Sequence, residues 1–381
     1  MQVCYDHQIF ASQRVGGISR YFSELVRQPC VGSVRNQLVL AKSLNCYLEG
    51  NPRYAGIVEQ TRNHYRNFAW GLEFRGKHRL YQKYLQISRY KEINLRQSLR
   101  VVRRGNFDLF HPTYYDPYFL DVLGKIPMVL TVYDMIHEKF SAHFAAQDHT
   151  SEYKRQLCHR ASHIIAISQS TKADLVEIFG IPPEKITVIH LANSLEPPPV
   201  EVKLELPERY VLFVGVRRGY KNFNAFFSAM LPLLRRDRDL HLLCTGYAFS
   251  KEETELFQSQ GVQQQVCHFF ASDWDLAELY SRATCFVFPS FYEGFGLPIL
   301  EAYASGCPVV VSHTSSLPEV GGAAALYVDP SDPDDIREKV LQLLQNPSLR
   351  HQLREKGYEH LRHFSWEQCC QQHAALYQSL L

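Results

Sequence analysis

The residues best equipped for chemistry lie between Ser290 and Val311, SFYEGFGLPILEAYASGCPVVV. Glu293 and Glu301 stand eight positions apart, with Gly294, Gly296 and Pro298 between them. The preceding TCFVFPS reads as a buried strand, and Pro298 suits the first turn of a helix. Phe291 to Leu297 is then a loop between the carboxyl end of a strand and a helix amino terminus. Glycines there let backbone N–H groups approach a ligand closely, and the helix dipole favours an anion such as phosphate. Glu293 is placed to bind hydroxyls beside that phosphate. Glu301, one turn into the helix, is placed to reach a diol, since a carboxylate accepts from two hydroxyls at once. An E-x7-E spacing alone describes ordinary surface glutamates; the strand, the Gly-x-Gly and the proline together favour a ligand loop.

A second stretch, YVLFVGVRRGYKNF (210–223), pairs with the first. A buried strand ends at Gly215, and Arg217, Arg218 and Lys221 follow before a helix that begins near Asn222. Cations at the carboxyl end of a strand make the other half of a diphosphate clamp. Neighbours in an extended loop point apart, so one of Arg217 and Arg218 is expected to be solvated. The Gly16–Gly17 turn before the first helix offers another close backbone approach. Two acidic clusters are set aside as metal sites. Asp273-Trp274-Asp275 opens the amphipathic DWDLAELYSRA, and Asp332 to Asp335 likewise starts a helix, so both read as caps and first-turn acids. The seventeen histidines show no metal-ligand spacing.

The G-x5-K-N spacing at 215–222, followed by E-G-F-G-L-P-x-L-E-A at 293–302, resembles the retaining glycosyltransferases of family 4, in particular a mannosyltransferase-like subgroup. The resemblance is specific in the carboxyl-terminal half and weaker in the amino-terminal half. It implies a GT-B fold and transfer of a sugar, with mannose as the candidate, from a GDP- or UDP-sugar to a saccharide or lipid-linked acceptor. It also implies retention of the anomeric configuration, bacterial polysaccharide biosynthesis, and neither cofactor nor metal. Lys221 and an arginine in its loop are the implied diphosphate ligands. Val216 stands where many members carry that arginine, so the role passes to Arg217. Glu293, with the backbone of Gly294, Phe295, Gly296 and Leu297, is implied to hold the transferred sugar, and Glu301 the ribose; Gly16 and Gly17 match the family's amino-terminal glycine loop. Many members end the fourth amino-terminal strand on His-Asp, where this chain has Tyr133-Asp134; either Tyr133 makes the histidine's contact with sugar or acceptor, or His137 does so from later in the loop. HPTYYDPY (111–118) and AISQSTKADL (166–175) resemble cleft-lining turns and add His111 and Ser168, for which capping or packing is an equal reading.

The elements that must position these residues follow from the rest of the chain. Its 381 residues suffice for two domains. Short β-branched runs alternate with helical periods, which predicts an α/β protein with two doubly wound, Rossmann-like parallel sheets facing a cleft. Ile18, Tyr21, Phe22, Leu25 and Val26 form one apolar stripe. STKADLVEIFG reads as a helix with Ser170 or Thr171 as its cap and Gly180 as its stop. The proline-rich 193–208 marks the boundary: residues 1–195 form the acceptor-binding domain and 196–365 the nucleotide-sugar domain, while 366–381 is a helix that packs back on the first. Apolar residues make up 45% and charged residues 21%, normal for a globular enzyme, and no apolar run is long enough to span a bilayer. Ten scattered cysteines and a start lacking signal-peptide character read as a cytoplasmic protein with reduced thiols. Net charge is only +2, with no nucleic-acid partner implied, but residues 62–104 hold twelve Lys/Arg against two Glu, interleaved with aromatics. That segment is either a solvated helical face or a surface for peripheral contact with anionic membrane. Two other functional classes fit the same features: a nucleotide-sugar epimerase, which needs no acceptor, and a non-catalytic sugar-nucleotide-binding partner subunit.

Overall fold

The computed structural model describes residues 1–27, 30–68, 72, 74, 76–77, 80, 90–195, 204–217 and 219–381. Half of the proline-rich boundary, part of the basic segment, and Arg218 lie outside these residues.

Seven strands belong to the amino-terminal half: β1 (Gln2–Tyr5), β2 (Cys30–Val31), β3 (Val34–Leu38), β4 (Leu109–His111), β5 (Val129–Val132), β6 (His163–Ala166) and β7 (Ile186–Val188). They lie in the order β2-β3-β1-β4 and β5-β6-β7, and a parallel bridge from Phe110 to Met128 joins the two groups. Among the described strands of this half only the short β2–β3 hairpin is antiparallel. The other half carries β8 (Arg209–Phe213), β9 (Leu240–Thr245), β10 (Val266–Phe269), β11 (Cys285–Phe288), β12 (Val309–Ser312) and β13 (Ala325–Val328). All are parallel, in the order β10-β9-β8-β11-β12-β13. The strands read as unbroken apolar runs because helices cover both faces, and β11, β12 and β5 are buried at every position.

Each sheet reverses strand order at one place, beside β1 in the first half and beside β8 in the second. A crevice opens outside the carboxyl ends of the strands where the order reverses. In the second half the reversal lies between β8 and β11, so residues 214–222 and 289–297 flank it. Both stretches singled out in the sequence emerge there.

The helix Trp366–Ser379 runs back to the amino-terminal half. Its Tyr377 hydroxyl lies 3.1 Å from that of Tyr5 and 2.7 Å from Nδ1 of His111, and Nε2 of His373 is 2.5 Å from the Tyr21 hydroxyl. The Trp366 indole donates to Ser194 at 2.7 Å. Two local expectations need correction. The helix Gln169–Phe179 is capped by Ser168, whose Oγ accepts from Thr171 N at 3.1 Å, rather than by Ser170 or Thr171. The helix Asp273–Arg282 is capped by Ser272 in a reciprocal capping box with Asp275, so Asp273 is a first-turn acid. Gly180 stops its helix as expected, in the left-handed region at φ 66°. Among the described residues no helix is long and apolar enough to cross a membrane.

Candidate active site

A cavity of about 270 Å³ lies between the two halves. Gly17, Ile18 and Tyr21 line it from the first long helix, and Tyr133, Asp134 and Ile136 from the end of β5. The loop after β11 supplies Glu293, Gly294, Phe295, Gly296, Leu297 and Pro298.

That loop is held from several sides. The hydroxyl of Ser316 donates to the carbonyls of Glu293 (2.8 Å) and Phe295 (2.6 Å), and Ser315 accepts from Glu293 N at 2.9 Å. Across the cleft, Ser168 donates to the carbonyl of Gly294 at 2.7 Å and Thr171 at 3.3 Å. Gly294 is pressed so close to β5 that a Cβ there would stand 1.8 Å from the Tyr133 carbonyl oxygen. Gly296, at φ 124°, caps the helix Leu297–Ala304 in a conformation an L side chain rarely adopts. Both glycines are therefore required by backbone geometry.

Lys221 ends a short 3-10 turn (Gly219–Lys221), and its Nζ lies 2.6 Å from Oε1 of Glu293. Asn222 follows in the left-handed region and donates to the carbonyls of Pro289 (3.1 Å) and Pro330 (2.6 Å), clamping the loop after β8 to that after β11. The cation thus neutralises a mostly buried carboxylate at the mouth of the crevice.

Arg217 lies elsewhere than the diphosphate reading expects. Its guanidinium turns away from the cavity: Nε donates to Glu253 at 2.8 Å, and the terminal nitrogens donate to the carbonyls of Thr245, Tyr247 and Ala248 at 3.2, 2.6 and 3.1 Å. The group also packs over Phe249, 4.7 Å from the ring centroid. Its fork ties the loop after β8 to the loop after β9.

The amino-terminal candidates separate in the same way. His111 is fully buried, with Nδ1 on Tyr377 and Nε2 2.9 Å from the Thr131 hydroxyl, so it joins the sheet to the last helix and does not reach the cleft. Burial pushes its pKa well below the usual range. Ser168 is fully buried and reaches the site through the Gly294 carbonyl alone. Tyr133 borders the cavity, but its hydroxyl is 3.4 Å from the Thr113 carbonyl. His137 is not among the lining residues; its ring stacks on Phe144 at 3.9 Å, with Nε2 3.6 Å from Asp148. Asp134 is the acid that this half brings to the cavity, its Oδ1 also accepting from Ile136 N at 3.0 Å. Gly17 lines the cavity, whereas Gly16 stands one residue outside it, its carbonyl accepting from Arg20 N.

Glu301 lies one turn along the helix Leu297–Ala304. Its Oε2 is 3.4 Å from the Tyr280 hydroxyl and its Oε1 is 3.7 Å from a guanidinium nitrogen of Arg20. Burial pushes its pKa up, the Arg20 charge opposes that, and Asp273 adds to the rise. Arg20 also pairs with Asp273 and donates to the Tyr47 hydroxyl at 3.1 Å. The sequence reading passed over Arg20 because it sits beside an apolar helical stripe. A cation next to such a stripe was the available signal. Asp6 was missed as well: fully buried after β1, it accepts from Thr113 N (2.8 Å), Thr113 Oγ1 (2.7 Å) and Tyr118 OH (3.0 Å), tying together the two loops at the first half's strand reversal.

The chain matches two described families in succession: Glycosyltransferase Family 4 over residues 57–195 and Glycosyl transferases group 1 over residues 199–360. It is 30% identical to O-antigen chain mannosyltransferase B of Escherichia coli over 396 residues, 98% of this chain and 99% of that one. It is 27% identical to the MMP alpha-(1->4)-mannosyltransferase of Mycolicibacterium hassiacum, with 73% and 72% covered. Among solved structures, HepE of Anabaena in complex with UDP and glucose superposes with a TM-score of 0.71 at 15% identity, covering 99% of both chains. Sucrose-phosphate synthase of Thermosynechococcus elongatus gives 0.71 at 19% identity, covering 100% of this chain and 98% of its own. Two parallel sheets face a cleft, both family matches fall in sequence order, and a full-length relative is a mannosyltransferase: the chain is a GT-B glycosyltransferase of family 4.

Proposed function

We propose that the protein transfers mannose from a nucleotide diphosphate sugar to a saccharide or lipid-linked acceptor, with retention of configuration and without a metal ion. The observation that carries this reading is the Lys221–Glu293 pair, 2.6 Å apart, where the loops after β8 and β11 meet at the cavity. Glu293 is assigned to the hydroxyls of the transferred sugar. Lys221 leaves it in part for the diphosphate when donor enters, so the cation follows the charge that develops on the departing phosphate. The carbonyls of Glu293, Gly294 and Phe295 are engaged by Ser316, Ser168 and Thr171. Donors are what the loop then offers an anion, and the helix dipole adds to them. Glu301 is assigned to the ribose diol, and Asp134, facing the cavity opposite Glu293, to a hydroxyl of sugar or acceptor. With Arg217 turned away, Lys221 and the loop amides carry the charge stabilisation.

Retention is read as attack on the face the leaving group departs from. The C1–O bond to the phosphate breaks as the acceptor oxygen bonds to C1, and the acceptor proton passes to the departing phosphate oxygen. Mannose is supported by the two relatives named for it, and a nucleotide sugar by the UDP complex of HepE. Leu72, Phe74 and Leu80 are exposed apolar residues within the basic segment, which supports peripheral contact with an anionic membrane. Sedimentation with anionic vesicles that weakens with salt is its measure.

The central test is hydrolysis and transfer across a panel of GDP- and UDP-sugars. Lys221→Ala and Glu293→Ala should each lower turnover by roughly 100-fold or more with the thermal midpoint nearly unchanged. Near-normal turnover in both variants overturns the assignment. Isomerised sugar appearing without acceptor product supports an epimerase instead.

A further inference from the structure

We propose that Arg20 is a positioning residue for nucleotide recognition, linking the ribose site at Glu301 to the amino-terminal half across the cleft. The proposal rests on the reading of Glu301 given above. Arg20 lies in the helix Gly17–Arg27, between Ile18 and Tyr21, which line the cavity. It is only 8% exposed, yet its partners come from both halves of the molecule. Tyr47, from its own half, accepts at 3.1 Å, and its ring centroid lies 4.8 Å from the guanidinium carbon. From the other half come Asp273, in direct contact, and Glu301 at 3.7 Å.

The contacts to the two acids differ in kind. Asp273 takes Arg20 tightly at the first turn of its helix, where an acid also suits the dipole. Glu301 is held loosely: 3.7 Å to Arg20 and 3.4 Å to the Tyr280 hydroxyl are both longer than an ordinary hydrogen bond of about 2.7–3.2 Å. A buried carboxylate held at arm's length keeps acceptor capacity for two incoming hydroxyls. The charged and titratable groups facing Glu301 are Arg20 from the first long helix and Asp273 and Tyr280 from the helix Asp273–Arg282. Facing Arg20 there is also Tyr47, with the Cys46 thiol nearby. Arg20 is the cation of this set. Without it Glu301 meets burial and the Asp273 charge alone, both of which favour its protonated form, and a protonated carboxyl gives up acceptor capacity.

The same guanidinium therefore does two things. It keeps Glu301 ionised at the point of ribose contact, and through Asp273 it fastens the first long helix, whose amino end lines the cavity, to the half that carries the nucleotide. Ribose binding is thereby felt at Gly17 and Ile18 on the opposite wall.

Calorimetry on the full chain with GDP and UDP, and with their 2′-deoxy counterparts, tests this directly. Wild-type protein is expected to bind the better ribonucleotide about 10-fold more tightly than its deoxy form, the loss of one hydrogen bond to a charged group. Arg20→Gln should weaken the ribonucleotide about 10-fold, leave the deoxy form little changed, and recover part of the difference as pH is raised and Glu301 ionises. Arg20→Lys, which keeps the charge, should discriminate at every pH and serves where Arg20→Gln does not melt cooperatively. Equal wild-type affinity for ribo- and deoxynucleotide overturns the ribose reading of Glu301 and the proposal with it. Wild-type discrimination that Arg20→Gln retains in full, or a loss independent of pH, overturns the role of Arg20 and leaves Glu301 standing.

Discussion

Gly294 has the narrowest steric tolerance of the cavity-lining glycines. A methyl group there would need the space of the Tyr133 carbonyl oxygen, 1.8 Å from the hypothetical Cβ. The loop cannot yield without moving Glu293 one residue before it. Gly294→Ala should therefore lower turnover by about 100-fold, since misplacement by 1 Å is enough for such a loss, while costing roughly 1–3 kcal/mol of stability through backbone displacement. Comparing turnover with the thermal midpoint checks both. Arg217 calls for the opposite pattern. Removing it leaves three carbonyls short of a donor and deprives Glu253 of a cation, so Arg217→Met should cost on the order of 2–4 kcal/mol. Nucleotide affinity in that variant should change less than about threefold; a stable protein that no longer binds nucleotide would return Arg217 to the diphosphate. That the Lys221 and Glu293 loops meet was legible in the sequence, because both stretches read as loops at the carboxyl ends of strands. Arg217, His111 and Arg20 were not, because burial and the direction of a side chain depend on partners far away in the chain.

At the scale of elements, the strand runs were plain in the sequence, since apolar strands bounded by glycine and proline leave few alternatives. Caps were less so: in SQSTKADL any of three hydroxyls is chemically suited, and Ser168 was selected because its Oγ also reaches Gly294 across the cleft. The helix Trp366–Ser379 shows why the rest was hidden. Its periodicity marks a buried face, but nothing local says that Tyr377 meets His111 or that His373 meets Tyr21. Tyr377→Phe should leave the buried Nδ1 of His111 without a partner and cost about 1–3 kcal/mol, read as a lower denaturation midpoint at unchanged slope. Because Tyr21 also lines the cavity, that helix supports the site from behind.

Across the whole molecule an apolar cluster spans the two halves, and polar contacts join them as well. His190 lies 2.6 Å from Glu319 and Tyr292 donates to Asp174 at 2.6 Å, an aspartate that Lys139 of its own half also pairs with at 2.6 Å. Stability should depend on pH chiefly through the buried histidines. Burial pushes His373 down to about 4 and His111 well below its ordinary value, so the folded protein holds both neutral. Their contribution is complete above the unfolded pKa of about 6.5 and is lost as pH falls towards the folded value, because only the unfolded chain takes up protons in that window. For His373 the shift amounts to roughly 3 kcal/mol. Thermal midpoints should fall between about pH 6.5 and pH 4, and less steeply in His373→Gln; a midpoint flat across that range would contradict it.

The return of the helix Trp366–Ser379 to the first sheet also bears on the order of synthesis. Strands β1 and β4 leave the ribosome within the first 111 residues, yet the side chains that complete their buried polar cluster arrive only with His373 and Tyr377. A nascent amino-terminal half must wait through the translation of the entire second sheet with Tyr5, Tyr21 and His111 uncovered. Its folding is thus coupled to the completion of a half with which it shares no strand.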